Sequence, residues 1–250
     1  MKDYIYKNNK YIIIAIVIIL GLWAILGRNY DDIIIPSIYS TLKALKEIFS
    51  QGDFILIIAS SLRRFIIAFF ITLTASLIMA ILSRISNFIY NFMIPVVSLL
   101  KSVPTMGIVI IALIWLSNDK APILIGFIVV FPILYEGFIG ALRDINKNIL
   151  NMAHVYKVST KNMIRKIYMP SMLNGIMPLV PSAMGLLLKV IIAGEVLGQP
   201  TYSIGGSMNL EKVYLNTPGV FAWIIIVVII TSLFEAITKI IMKRTLQWKN

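Results

Sequence analysis

The sequence contains no cysteine and few charged residues, which make up 14% of its 250 positions. The lack of cysteine excludes a disulfide framework, a thiolate metal site and a cysteine nucleophile. Soluble domains contain about 25% charged residues, whereas 59% of the residues here are hydrophobic. The scarcity of charge therefore predicts an integral membrane protein.

Signatures of catalysis and of metal or nucleotide binding are also missing. No G-x-x-x-x-G-K-[ST] pattern and no Gly-Lys pair occurs, so nothing predicts a cradle for ATP phosphates. The single histidine, His154, has no H-E-x-x-H context, and we expect no metal site. Glu136, Asp144 and Glu195 lie at the ends of different apolar segments, so they form no catalytic carboxylate set. We therefore expect a chain that is not an enzyme and binds no cofactor of its own.

Six apolar segments are long enough to cross a bilayer as helices, for which about 20 residues are needed. No A-x-A-like cleavage site follows the first, so we expect it to be retained as a span rather than removed as a signal peptide. No strand alternation long enough for a barrel occurs. The sequence predicts an all-α integral membrane protein with six transmembrane helices in one domain, residues 1–250, with spans at 11–27, 60–82, 92–116, 122–142, 173–196 and 220–242.

The net charge of +12 is explained by topology rather than by nucleic-acid binding. The basic residues lie in short loops that flank the apolar segments, and cytoplasmic loops are enriched in Lys and Arg. With the N-terminus inside, the inner loops hold thirteen such residues and the outer loops five, or seven with Arg63 and Arg64. We expect a multi-pass protein of the cell membrane with both termini in the cytoplasm.

Residues 136–178, the longest polar interruption between two apolar segments, contain the loop between the fourth and fifth spans. Apolar residues at spacings of three and four predict a short amphipathic helix there. Ser159 can cap a second short helix, which we expect to end at Met169-Pro170. Two short helices are more than a connector needs, and they predict a cytoplasmic docking surface. The predicted stripe consists of Ile145, Ile149, Met152, Ala153 and Tyr156.

This loop resembles the "EAA" loop of ABC-importer permeases, whose pattern is E-A-A-x-x-x-G, nine residues, then I-x-L-P. Asn151-Met152-Ala153, then Lys157, then Ile167-Tyr168-Met169-Pro170 keep that spacing. Ala153, Ile167 and Pro170 match outright, whereas Lys157 stands at the glycine position. A glycine there permits a left-handed residue at the helix end. We therefore expect either a strained, left-handed Lys157 or a helix that ends differently.

Three further segments extend the resemblance to about residues 60–242. Residues 60–65, SSLRRF, are similar to an S-L-x-R segment, and residues 101–105, KSVPT, to an I/V-P turn in the third span. Residues 193–197, AGEVL, with Ile204-Gly205, are similar to an A-x-E segment that closes the fifth span. The whole resembles the nitrate/sulfonate/taurine-type permeases, a group that includes transporters for pyrimidine vitamin precursors.

The resemblance implies a permease subunit that acts as a homodimer, with a permease core at about 56–245. It implies two ATP-binding cassette subunits, which bind ATP-Mg in place of this chain, and an extracytoplasmic substrate-binding protein. The solute would be a sulfonate, a nitrate- or taurine-like anion, or a pyrimidine precursor. An ion-coupled secondary transporter is the alternative, although inverted repeats and a midplane relay are not visible. The ATPase-docking candidates are Asn151, Met152, Ala153, His154, Tyr156, Lys157 and Ser159.

Ionisable residues inside apolar segments usually face a cavity or a partner, which makes Lys101 and Lys189 candidates for the transport pathway. Lys189 can instead reach the membrane interface. Glu195 can be a gate, a dimer contact or an interfacial residue, and Arg63-Arg64 can be a helix-end anchor or an anion site. The full set of pathway candidates is Lys101, Ser102, Thr105, Lys189 and Glu195.

Overall fold

The computed structural model describes residues 9–246, which form helices joined by short turns and contain no β-strand within that range. A π-helical turn, Ile164–Tyr168, joins α8 to α9, and a 3-10 turn, Met177–Leu179, joins α9 to α10. The helices are α1 Asn9–Asn29, α2 Ile38–Phe49, α3 Phe54–Ile85, α4 Asn87–Ser102, α5 Thr105–Trp115, α6 Ala121–Arg143, α7 Lys147–Val155, α8 Thr160–Met163, α9 Met169–Ile176, α10 Val180–Gly198, α11 Ile204–Val213 and α12 Thr217–Leu246.

Five helical segments are long and apolar enough to cross a membrane, and α4 with α5 forms a sixth that is bent by 97°. The bend lies at Val103-Pro104, the V-P turn of the sequence analysis. The prediction of an all-α integral membrane protein is confirmed. The five continuous segments are Lys10–Asn29, Phe54–Ile85, Ala121–Arg143, Thr160–Gly198 and Thr217–Thr238.

The bent pair of α4 and α5 begins near one end of α3 and finishes near the other, so it crosses the membrane rather than turning back. The pair begins directly after α3 ends at Ile85. It is followed by Asp119, whose carboxylate accepts a hydrogen bond from Arg64 near the start of α3. At about 1.5 Å per residue, Arg64 and Ile85 are about 30 Å apart, the thickness of the hydrocarbon layer. The pair therefore counts as one broken span, and the predicted number of six spans is reached.

The chain forms two compact units, and the smaller comprises the residues up to Phe54 together with Ser207–Ile226. Within it, the indole N–H of Trp23 donates to the Pro36 carbonyl at 2.9 Å. The ring of Trp23 also lies 5.9 Å from that of Phe221. These contacts join α1 to the segment before α2 and to the beginning of α12.

The larger unit, Ile55–Gly206 with the residues from Val227 on, is built around α6. Helix α6 packs along α9 and α10. A Cβ at Gly175 of α9 would overlap the Cβ of Ala141, so these two helices approach as closely as they do because residue 175 is a glycine. The buried core between α6 and α10 includes Ile125, Leu134, Leu187, Leu188 and Ile191.

The prediction that Met169-Pro170 ends the second short helix of the loop is wrong. The chain stays helical from Thr160 to Gly198, and the predicted fifth span, 173–196, is the second part of this run. The N–H of Met169 donates to the carbonyl of Ile164, five residues earlier, in the π-helical turn. Pro170 cannot donate such a bond, and the wider turn accommodates it without breaking the helix.

Candidate functional site

Helix α7, in the loop between the spans α6 and α10, ends at a left-handed lysine. Lys157 has φ 51°. Its N–H donates to the carbonyl of His154 at 3.0 Å, and the N–H of Val158 donates to that of Ala153 at 2.9 Å. This pair of bonds is the Schellman motif, in which glycine usually takes the left-handed position. Of the two outcomes expected for Lys157, the structure has the strained residue.

The predicted apolar stripe of α7 does not form one exposed surface. Ala153 is 2% exposed and faces the interior of the chain, whereas Met152 is 56% exposed. Neighbouring helical residues point about 100° apart, so Met152 and Ala153 can lie on opposite sides of the boundary with solvent. Tyr156 follows the last residue of α7, where the helical period no longer applies. The prediction that Ala153 belongs to the exposed docking surface is therefore wrong.

The outward side of α7 carries three exposed large apolar side chains: Met152, Val155 (78% exposed) and Tyr156 (76% exposed). Val155 lies off the stripe that the sequence predicts, so periodicity alone did not identify it. Contiguous exposed apolar side chains with polar neighbours mark interaction surfaces. Ser159 is exposed and precedes α8 without a capping hydrogen bond from its side chain. We call the exposed residues Asn151, Met152, His154, Val155, Tyr156 and Lys157 the docking patch.

A groove of about 590 Å³ lies between α4 and α6. Each helix lines it at spacings of three and four residues, as one face of a helix does. Two of the predicted pathway residues, Lys101 and Ser102, line it, whereas Thr105 and Lys189 are exposed elsewhere. The polar residues of this α4–α6 groove are Tyr90, Ser98, Lys101, Ser102, Tyr135, Glu136 and Arg143.

Lys101 forms an ion pair with Glu136 in the groove. Its Nζ lies 3.0 Å from each carboxylate oxygen. The two side chains are 53% and 51% exposed, although Lys101 lies at the break in the third span and Glu136 within the fourth. Charged groups at this depth face a water-filled cavity or a partner rather than lipid. The sequence placed Glu136 at the end of a span. Its contact with Lys101 could not be predicted, because the two residues lie on separate helices.

The α7 end of the groove is closed by Arg143 and Tyr90. Arg143 donates a hydrogen bond to the Tyr90 hydroxyl and its guanidinium lies 5.8 Å from the centre of that ring. A second cavity of about 340 Å³ begins at the same two residues and is also lined by Arg84 and Lys147. Cationic side chains therefore continue from the Lys101–Glu136 pair towards the loop that holds the docking patch.

Glu195 does not line the α4–α6 groove, and its side chain is fully buried. One carboxylate oxygen accepts a hydrogen bond from Arg64 at 3.0 Å. The other accepts from the Ser61 hydroxyl at 2.8 Å and from the Gly205 N–H at 3.2 Å. Glu195 is therefore not exposed as a pathway-lining residue would be, and its role as a gate stays a prediction.

Arg64 is the centre of this buried cluster rather than a helix-end anchor. Besides Glu195, it donates to Asp119 at 2.5 Å and to the Tyr202 carbonyl at 3.0 Å. Its neighbour Arg63 is exposed. Residues 60–65 and 193–205, which the sequence analysis treated as separate motifs, thus meet in one ion cluster.

Comparison with known proteins gives a family and several relatives. The family model described as "Binding-protein-dependent transport system inner membrane component" matches residues 72–247. The chain is 21% identical over 237 residues to the permease SsuC of Bacillus subtilis (strain 168), which is named for aliphatic sulfonate transport. That alignment covers 93% of this chain and 85% of SsuC. This chain is also 26% identical over 199 residues to the nitrate import permease protein NrtB of Leptolyngbya laminosa. The second alignment covers 74% of this chain and 69% of NrtB.

Proposed function

This chain belongs to the family of binding-protein-dependent transport system inner membrane components, and from that membership we propose that two copies form the pathway of an ATP-driven importer. Each copy binds one ATP-binding cassette subunit, and an extracytoplasmic binding protein delivers the solute. The chain is a transport component and not an enzyme. An ion-coupled secondary transporter does not agree with a family defined by dependence on a binding protein.

The observation that carries the proposal is the docking patch. Its three exposed apolar side chains, Met152, Val155 and Tyr156, offer a partner the kind of area that interface cores bury. The basic residues of the loop favour a cytoplasmic position, where the ATPase is found. The exposed polar side chains of Asn151 and His154 lie beside these apolar groups, as polar residues surround the apolar core of an interface.

Ala153 has a supporting role in this proposal. Its burial holds α7 against the rest of the larger unit, so α7 moves with that unit. The left-handed Lys157 then turns the chain from α7 into the helical run that begins at Thr160. Closure of two ATPase subunits would displace the patch, and α7 would pass this motion to the spans as a rigid body.

We propose a small anion as the solute. Relatives are named for aliphatic sulfonates and for nitrate. Among the described residues that line the α4–α6 groove, Lys101 and Arg143 are cationic and Glu136 is the one carboxylate. This excess of positive charge favours an anion over a neutral pyrimidine precursor.

The docking assignment is tested by co-purification of tagged protein with its ATP-binding cassette subunit. We expect Met152→Asp with Tyr156→Asp to abolish co-purification and solute-stimulated ATP hydrolysis, while the protein stays monodisperse in detergent. Tyr39→Asp is the matched control, because Tyr39 is 79% exposed on α2, outside the loop. Wild-type assembly of the double variant would place the ATPase contact elsewhere.

A further inference from the structure

The Lys101–Glu136 pair is placed where stability does not explain it. Both side chains are half-exposed, and an exposed ion pair contributes little to folding because water screens it. Placing two charged groups inside spans has a cost unless they face water. The α4–α6 groove meets that condition, so the pair is tolerated there but adds little stability, and its position requires another explanation.

The geometry of the Lys101–Glu136 pair allows an anionic solute to compete with Glu136 for the Lys101 ammonium. Lys101 directs its ammonium at both oxygens of Glu136, 3.0 Å each, from the last turn of α4. An ammonium is a compact charge with three donors on a flexible chain, so it can exchange one anion for another without a fixed orientation. The groove of about 590 Å³ gives a small solute access to the same nitrogen.

The net charge of the groove lining favours an anionic competitor over a neutral one. With the pair closed, Lys101 and Glu136 cancel, and Arg143 leaves one positive charge on the lining. An entering anion is attracted by that charge and competes with the carboxylate for Lys101. A neutral solute of the same shape has no such advantage, and it would have to leave the pair intact.

We propose that Glu136 is the resting counter-ion of Lys101 and that the anionic group of the solute displaces it. The pair then admits anions to the α4–α6 groove and rejects their neutral isosteres. This inference rests on the proposed import function, and it assigns the discrimination between solutes to two residues of this chain.

The test uses the complete importer in proteoliposomes, with ATP-dependent uptake of ethanesulfonate, nitrate and the neutral isostere ethanesulfonamide as probes. For Glu136→Gln we expect uptake of both anions with a KM several-fold lower, because the competing charge is gone. For Lys101→Met we expect loss of anion uptake by roughly tenfold or more, and for Lys101→Arg retention. Lys43→Met and Glu47→Gln, an exposed lysine and glutamate on α2, are the matched controls.

A purely structural pair gives a different pattern. Lys101→Met with Glu136→Met removes both charges together, a change that restores a structural pair but not an anion acceptor. Restored anion uptake in this double variant, equal losses in both single variants, or wild-type uptake in Lys101→Met would each overturn the inference. Equal uptake of ethanesulfonamide and ethanesulfonate by the wild type would also overturn it, as would uptake of none of the probes.

The proposed function is measured separately in the same preparations, by co-purification and basal ATP hydrolysis of the cassette subunit. Both are measured on the wild-type complex and on the α2 variants Lys43→Met and Glu47→Gln, in which they should be unchanged. A wild type that binds no ATPase would refute the import function itself. A wild type that binds the ATPase but shows none of the expected variant effects would refute the ion exchange alone.

Discussion

The carboxylate of Glu195 lies 3.0 Å from the guanidinium of Arg64, and both side chains are excluded from solvent. The pair joins α3 to α10, and the Ser61 hydroxyl and Gly205 N–H satisfy the second carboxylate oxygen. Because the remaining lone pairs are hydrogen-bonded, the arrangement meets the condition under which a buried ion pair is tolerated.

Removing Arg64 should destabilise the protein strongly. Arg64→Met would leave Glu195 buried without its cation, at an expected cost of about 3–5 kcal/mol. Thermal unfolding in detergent, followed by tryptophan fluorescence, measures the loss. Arg63→Met is the control, since Arg63 is the exposed neighbour and its loss should change stability by less than about 0.5 kcal/mol. Equal midpoints for the two variants would contradict the importance of the buried pair.

Glycine at position 157 should be neutral or stabilising. Lys157 has a left-handed backbone, which costs a residue with a Cβ about 1 kcal/mol and glycine much less. Lys157→Gly is therefore expected to raise the thermal midpoint slightly or leave it unchanged. Lys161→Gly, within the helical run, is the contrasting variant and should destabilise by about 1 kcal/mol. A clear loss of stability in Lys157→Gly would show that α7 does not end as described.

Enlarging Ala153 should harm folding as well as assembly. Ala153 is 2% exposed, so Ala153→Trp overpacks its site and should cost about 1–3 kcal/mol or more. The measurement pairs the thermal midpoint with co-purification of the ATPase. Val155→Trp makes the same kind of change on the exposed side and should leave the midpoint unchanged. If Ala153→Trp kept wild-type stability, the inward placement of Ala153 would be wrong.

The proposed orientation is open to cysteine labelling, and the lack of native cysteine gives a clean background. Asn118 and Lys161 are both exposed and lie at opposite ends of the spans. An impermeant maleimide added to intact cells should label Asn118→Cys and leave Lys161→Cys unlabelled until the membrane is broken. The reverse pattern would place the docking patch outside the cell and refute its assignment.

Sequence alone predicted what depends on local composition. Apolar length located the spans, and the lysine at the glycine position 157 predicted either a strained, left-handed residue or a helix that ends differently, of which the structure has the first. It did not predict that Arg64 meets Glu195, because the two are 131 positions apart and nothing local marks them as partners. Periodicity also placed Ala153 and Tyr156 on one face, since it assumes that the helix continues past Val155.

The predicted helix end at Pro170 was also wrong. Pro170 resembles a helix terminator, and in an ideal α-helix it would leave one bond unmade and crowd the preceding turn. The π-helical turn at Ile164–Tyr168 removes that conflict. Such a turn depends on tertiary packing, which local sequence patterns do not predict.

The unbroken helical run from Thr160 to Gly198 connects the loop that holds the docking patch to the ion cluster around Glu195. Its 39 residues extend about 58 Å, and Glu195 lies three residues before its end at Gly198. A displacement applied at Thr160 either arrives at Glu195 as a translation of the whole rod or is absorbed as a change of pitch at Ile164–Tyr168 or Met177–Leu179. Under the proposed import function, the stiffness of those two turns would determine how much of such a displacement reaches the ion cluster, which would hold the far end of the helical run in place.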